Sequence, residues 1–286
     1  MVIIMSILLS LFLGLIQGIT EFLPVSSSGH LAILQNLIGL KYSADDHLFF
    51  SVFLHLGTLI SIIVVYRKEI KTMISEGLEF LRMRSDPDTD EPVVMKPPAR
   101  ALLFVLIGTI PMFIALIFMN SVKRLFLATG FIGFALIATG ALLFVSEKYV
   151  KRGNKTDKTM TIVDSLIIGL AQAVAIIPGL SRSGTTITVG LARGLNPSFA
   201  VRFSLLLSIP AVFGATVVEL YKAIRAGINL SLLPAYLVGF IVAVVVGFFA
   251  IQLVRRIINK DGFSKCAYYC WGVGALAIIL SLVLGK

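Results

Sequence analysis

Charge is what this chain has least of. Only 14% of its 286 residues are Asp, Glu, Lys or Arg, while 57% are hydrophobic; a soluble globular domain carries about 25% charged residues. The shortage excludes an ordinary soluble enzyme with a large core and places the chain in the membrane class. Cysteine is scarce too. Cys266 and Cys270 are the only two, which rules out a disulfide framework, and two thiols alone do not close a zinc site; both read as ordinary apolar helix residues. A Gly-rich nucleotide loop, a His-x-x-x-His metal pair and a GxSxG elbow are all missing, removing the enzyme classes built on them. The apolar N-terminus lacks a basic flank and a small-residue cleavage site and runs directly into Gln17 and Glu21, so it reads as mature protein. A net charge of +10 does not point to nucleic acid, because most of the Lys and Arg fall between apolar runs.

What is present is length of apolar sequence. A helix crossing a bilayer needs about 20 apolar residues, and six stretches qualify, near 48–66, 101–120, 125–145, 203–221, 233–254 and 266–284. Pro111 and Pro210 are expected kinks within them. Stretches 2–40 and 162–197 are each long enough for two helical arms but are cut in the middle by Pro, Gly and Ser. Broken backbone at membrane depth is tolerated only where protein or a water-filled cavity surrounds it, and such interruptions at matching places in two halves point to re-entrant pairs at a binding site. The halves do match. Shifted by 155 residues, Gly14, Leu15, Gln17, Ser26, Ser28 and Gly29 meet identical residues, and Tyr66-Arg67 meets Tyr221-Lys222. Each half is then one broken pair plus three spans. An odd number of spans inserts the second half from the opposite side.

The expected fold is therefore an all-α integral membrane protein, an inverted-topology repeat with about six spanning helices and two re-entrant helix pairs. Its halves are residues 1–150, with the re-entrant pair 2–40, and 151–286, with the pair 162–197. Segments 67–100, 146–161 and 255–265 share one face and hold sixteen Lys and Arg against six on the other. By the positive-inside rule the first face is cytoplasmic, making 67–100 a cytoplasmic loop. Within it, Ser85 to Pro92 is acidic and proline-rich and reads as a solvated linker.

Glu21 stands inside an apolar stretch, where an unpaired carboxylate is costly, so it is a functional candidate; capping the next helix is the plainer alternative. Gln17 lies four residues earlier on the same helical face. Serines 26 to 28 lead into a new helix beside His30. One serine is explained as an N-cap, whereas three beside an imidazole suggest an anion site with a nucleophile, Ser27, within a helical turn of His30. Across the repeat, Arg182 sits between Ser181 and Ser183 with Thr186 following. A buried guanidinium demands an anion, either a phosphate or Glu21 itself. His55 lies within a span and either lines a cavity or bonds a backbone carbonyl, the second being favoured. Arg193 and Arg202 flank the second break as lipid-head contacts or snorkelling side chains, and Glu219 is expected to pair with Lys222.

Residues 18–30, Gly-Ile-Thr-Glu-Phe-Leu-Pro-Val-Ser-Ser-Ser-Gly-His, together with 178–184, Pro-Gly-Leu-Ser-Arg-Ser-Gly, closely resemble the motifs of the undecaprenyl-diphosphate phosphatases, the BacA/UppP family of bacitracin-resistance proteins. The segment 203–210 is similar to the family's next helix, and the resemblance covers essentially the whole chain. It implies a multi-pass plasma-membrane hydrolase that converts a C55 polyprenyl diphosphate to the monophosphate carrier of cell-wall assembly, with its site open to the outer face. By the same resemblance Ser27 is the nucleophile, His30 and Glu21 activate or protonate, and Arg182 clamps the phosphates. Gln17, Ser26, Ser28, Ser181, Ser183 and Thr186 line the phosphate pocket. A divalent cation, Mg²⁺ or Ca²⁺, is implied, with Glu21 as its protein ligand. The family often carries a second Glu where this chain has Gln17, which leaves Glu21 as the one carboxylate. Expected partners are the polyprenyl diphosphate, the bilayer and a second copy of the chain. A lipid flippase using the same pocket is the rival reading, since broken inverted repeats are also transporter architecture.

Overall fold

The computed structural model describes residues 6–38, 44–84, 94–150, 153–226, 230–259 and 262–284. Twelve α-helices make up these residues. They are α1 (Ile7–Thr20), α2 (Ser27–Ile38), α3 (Ala44–Arg84), α4 (Pro97–Thr109), α5 (Pro111–Ile117), α6 (Met119–Leu125), α7 (Thr129–Tyr149), α8 (Ile162–Val174), α9 (Arg182–Ala192), α10 (Pro197–Ala226), α11 (Leu233–Asn259) and α12 (Phe263–Leu284). The only β pairing among the described residues is an isolated bridge between Lys155 and Leu195.

Six helical stretches are long and apolar enough to cross a membrane: Phe50–Arg84, Pro97–Ile117, Thr129–Tyr149, Pro197–Lys222, Leu233–Ile257 and Phe263–Leu284. Their outer faces carry large apolar side chains such as Phe134, 63% exposed, and Leu282, 79% exposed. Such a surface suits lipid rather than water. The chain is an all-α integral membrane protein. The two interrupted stretches appear as α1–α2 and α8–α9, with breaks at 21–26 and 175–181.

Two expectations shift. The segment beginning at Arg67 is not a loop at its start: α3 kinks at Tyr66 (φ −101°, ψ 15°) and continues to Arg84. Residues 67–84 contain no proline and one glycine, and Lys, Glu, Leu, Met and Arg all favour helix, so nothing local stops it. The acidic linker, 85–92, lies outside the described residues. The two prolines also differ. Pro111 ends α4 and starts α5, whereas Pro210 sits inside the continuous α10.

Helices approach closely where glycines meet. A Cβ on Gly14 would strike the backbone oxygen of Gly239 in α11, and a Cβ on Gly169, 155 residues later, would strike that of Gly108 in α4. Each broken arm thus lies against the second long helix of the opposite half. Gly133 of α7 and Gly274 of α12 meet similarly, each 2.7 Å from the other's carbonyl oxygen if given a Cβ. Small residues supply the packing that hydrophobicity cannot supply inside a bilayer. Gly169→Leu should therefore cost at least about 1–3 kcal/mol, as overpacking does, because the obstacle is backbone and cannot rotate away. A thermal unfolding curve in detergent reads this as a lower midpoint; an unchanged midpoint would refute the packing.

One end of the bundle is tied by ion pairs. Asp164 caps α8 through Thr161 and binds Lys155 Nζ (2.9 Å) and Arg193 Nε (2.8 Å). Arg202 pairs with Asp157 at 3.1 Å and Glu69 at 3.2 Å. Arg193 and Arg202, expected as lipid-head or snorkelling groups, are thus held by protein carboxylates. Glu219 does meet Lys222, at 2.6 Å. Cys266 and Cys270 are free and buried.

Candidate active site

The site is assembled from the two breaks. In the first, α1 keeps helical geometry through Glu21, whose N–H donates to the Gln17 carbonyl at 3.0 Å. The chain then turns, and Ser26 adopts φ 70°, a left-handed conformation that a non-glycine residue takes only when its surroundings impose it. Its side chain accepts from Gly29 N–H at 3.3 Å and so caps α2. In the second break Gly179 has φ 95°, and a Cβ there would come within 2.6 Å of the Ile132 carbonyl oxygen. Only glycine suits both constraints. Ser181 caps α9 through Gly184 N–H (3.0 Å), and Thr139 of α7 clamps the turn, donating to the Gly179 carbonyl at 2.9 Å and accepting from Ser181 N–H at 3.0 Å.

The breaks touch each other. A Cβ on Gly29 would lie 3.0 Å from Gly179 Cα. Ser183 Oγ donates to the Leu23 carbonyl at 3.3 Å, and Ser26 Oγ to the Leu180 carbonyl at 3.4 Å. Residues more than 150 positions apart thereby share one small volume.

Glu21 is the hub of that volume and only 6% exposed. Arg182 donates to Oε1 at 2.5 Å. On Oε2 converge the Ser27 hydroxyl at 2.5 Å, the Gln17 amide at 2.9 Å and His55 Nε2 at 3.4 Å. Several kcal/mol of desolvation must be offset for a carboxylate at this depth, and charge-assisted bonds from a guanidinium and a hydroxyl are the strong kind. The plainer reading of Arg182 as the partner of Glu21 is realised, but Ser27, Gln17 and His55 join the same carboxylate. Arg182 and His55 retain 20% and 23% side-chain exposure, so they are the partners of Glu21 that reach the surface.

The expected Ser27–His30 contact is not made. His30 Nδ1 lies 2.7 Å from the Ser26 carbonyl and Nε2 2.8 Å from the Tyr269 hydroxyl, over which the ring is stacked. A carbonyl can only accept, so Nδ1 carries the hydrogen and Nε2 accepts from Tyr269 in the neutral ring. Ser27 donates its hydrogen bond to Glu21 instead, because an ionised carboxylate is a better acceptor than an imidazole nitrogen already engaged elsewhere.

Of the pocket-lining residues named from the sequence, Gln17 alone touches Glu21. Ser26 and Ser181 are caps, Ser28 sits 3.4 Å from Ser26 Oγ, and Ser183 sits 3.2 Å from Ser181 Oγ. Thr186 bonds the Arg182 carbonyl at 2.8 Å and Ser204 Oγ at 2.5 Å, bracing the turn that carries the guanidinium. His55 does both things weighed for it, since its Nδ1 also donates to the Ser51 carbonyl at 2.7 Å. Tyr269 has no local sequence signal; only the packing of α12 brings it to His30.

The donors can be tested against a cation. Among the described residues no group of three or more His, Cys, Asp and Glu could hold a metal. Gln17 Oε1, however, is buried without a partner next to Glu21. Two hard oxygens on one helical face fit Mg²⁺ or Ca²⁺ when the substrate and water supply the rest.

Six apolar spans around a buried carboxylate and hydroxyl and a half-buried guanidinium define a polytopic membrane protein with a site suited to phosphate esters. The chain belongs to the family described as bacitracin resistance protein BacA, which it matches over residues 10–276. It is 38% identical over 275 residues to an undecaprenyl-diphosphatase of Carboxydothermus hydrogenoformans, covering 95% of this chain and 96% of that protein. The undecaprenyl-diphosphatases of Alkaliphilus metalliredigens (40%; 96% and 98% covered) and Methanobrevibacter smithii (39%; 97% and 99% covered) are similar.

Proposed function

We propose that the chain hydrolyses undecaprenyl diphosphate to inorganic phosphate and undecaprenyl monophosphate, recycling the lipid carrier for cell-wall glycan assembly and so opposing bacitracin. The observation that carries the mechanism is the Ser27 hydroxyl donating to Glu21 at 2.5 Å while Arg182 holds the carboxylate's other oxygen. A diphosphate entering past Arg182 and His55 exchanges the guanidinium from Glu21 to its own oxygens. Glu21 then takes the Ser27 proton as Oγ attacks the terminal phosphorus. The bond to the bridging oxygen breaks, and its electron pair leaves with the lipid monophosphate. Glu21 passes the Ser27 proton to the departing monophosphate and, ionised again, takes one from the water that attacks the phosphoserine, returning it to Ser27 as phosphate departs. Arg182 and the N-termini of α2 and α9 face the charge that develops, the principal need in phosphoryl transfer. His30 aims Ser27 by holding the Ser26 turn and takes its own orientation from Tyr269. A cation held by Glu21 and Gln17 Oε1 would supply further neutralisation of the phosphate oxygens.

The two halves form an inverted repeat in the plasma membrane, supported by the reciprocal packing of Gly14 on α11 and Gly169 on α4. The basic end faces the cytoplasm and the site opens outward. Single cysteines at Lys158 and Lys123, in a background lacking Cys266 and Cys270, should label with an impermeant thiol reagent from opposite sides of the membrane; labelling from one side overturns the topology. For the activity, purified protein in detergent is given farnesyl diphosphate. Phosphate release is expected, and its absence would leave the rival flippase reading, because transport needs two compartments and hydrolysis does not.

A further inference from the structure

A cavity of about 500 Å³ lies beside the first break and the end of α11, at the basic end of the bundle. Val25 of the break, Leu253 and Ile257 of α11 and Tyr269 of α12 give it an apolar wall. Two cations stand among its lining, Arg256 and Lys265. Both are exposed, and neither makes an ion pair or a hydrogen bond among the described residues, whereas Lys155, Arg193 and Arg202 at the same end are tied to carboxylates. Lys260 and Asp261, in the turn between them, lie outside the described residues and offset each other in charge.

We propose that this cavity binds a polyprenyl monophosphate, the tail along the apolar wall and the phosphate between Arg256 and Lys265. The proposal rests on the hydrolytic reading, which makes that lipid the product. Three features select the occupant. A slot of this volume admits part of one chain and falls within the usual range of small-ligand sites. Two cations with no carboxylate partner among the described residues match a phosphate monoester, which carries about −1.5 to −2 at neutral pH, better than a phosphodiester with one charge and two tails. The cavity adjoins the catalytic site through Tyr269, which lines it and whose hydroxyl lies 2.8 Å from His30 Nε2. The molecule thereby holds its product at the end of the bundle opposite to the one from which the diphosphate arrives. Basic pockets between membrane helices on that side are recognised lipid-phosphate sites.

Native mass spectrometry of detergent-purified Ser27→Ala protein with farnesyl monophosphate tests this. Two bound molecules are expected, one per site. In Ser27→Ala combined with Arg256→Gln and Lys265→Gln, the second is expected to bind about 30-fold more weakly, the effect of two surface cations on an anionic lipid head. With Ser27 intact, the Arg256→Gln/Lys265→Gln protein should release phosphate from farnesyl diphosphate at the unmodified rate. Farnesol and inorganic phosphate, offering tail or head alone, should not displace the second molecule. Equal second-site binding with and without the two cations overturns the proposal, as does displacement by phosphatidylglycerol at the same concentration as farnesyl monophosphate. Failure of the unmodified protein to release phosphate would instead overturn the hydrolytic reading on which it rests.

Discussion

Ser27→Ala is expected to lower phosphate release from a prenyl diphosphate by about 10⁴-fold or more, the scale on which removing a nucleophile acts in enzymes whose catalytic groups work as a unit. The fold should survive. Ser27 is the first residue of α2, where alanine is a good helix former, and its hydroxyl makes one hydrogen bond, to Glu21. Glu21 keeps Arg182, Gln17 and His55 when that bond is lost. The loss is of the order of one net hydrogen bond, about 1 kcal/mol. Kinetics and thermal unfolding on the same preparation separate the two effects. Substantial residual turnover in a correctly folded S27A protein would show that water, not Ser27, attacks phosphorus.

Arg182→Ala should damage both activity and stability. Deleting the guanidinium leaves Glu21 buried with one oxygen unpaired, and breaking such a pair from one side costs about 3–5 kcal/mol. It also removes the phosphate clamp, so phosphate release should fall by at least about 10²–10³-fold, as when one oxyanion donor is lost. The two consequences part in a double variant. Glu21→Gln in the R182A background removes the stranded charge, and the unfolding midpoint should recover towards that of the parent while activity stays lost. Arg182→Lys keeps the charge but not the planar fork and should fall between. If R182A unfolds at the parent's temperature, Glu21 does not depend on it, and the ion pair is not what holds the breaks together.

The sequence shows the site's ingredients better than its wiring. Glu21, Ser27, His30 and Arg182 are recognisable because each is a polar residue beside a Pro/Gly break in an apolar run, where polarity is expensive. The 155-residue echo alone pairs the two breaks. Which groups bond to which is another matter. Helical spacing puts Ser27 and His30 within reach of each other, yet the imidazole is taken by the Ser26 carbonyl and by Tyr269, 239 residues distant. His55 reads locally as a backbone-bonded histidine and is one, but its other nitrogen faces Glu21. Periodicity reports which side of a helix a residue occupies, not what another helix brings to it.

By itself, then, the sequence determined the environment and the plan: an oily chain must lie in lipid, six apolar runs must cross it, and two broken runs must be sheltered together. These follow from the cost of exposing apolar surface to water and unpaired backbone to hydrocarbon, both set by composition and spacing. Only the tertiary structure decided that Glu21 is the acceptor for Ser27, that Arg182 closes the opposite oxygen, and that Tyr269 holds His30. Those choices depend on ångström-scale competition among donors and acceptors from helices far apart in the chain, brought together where glycines let backbones touch.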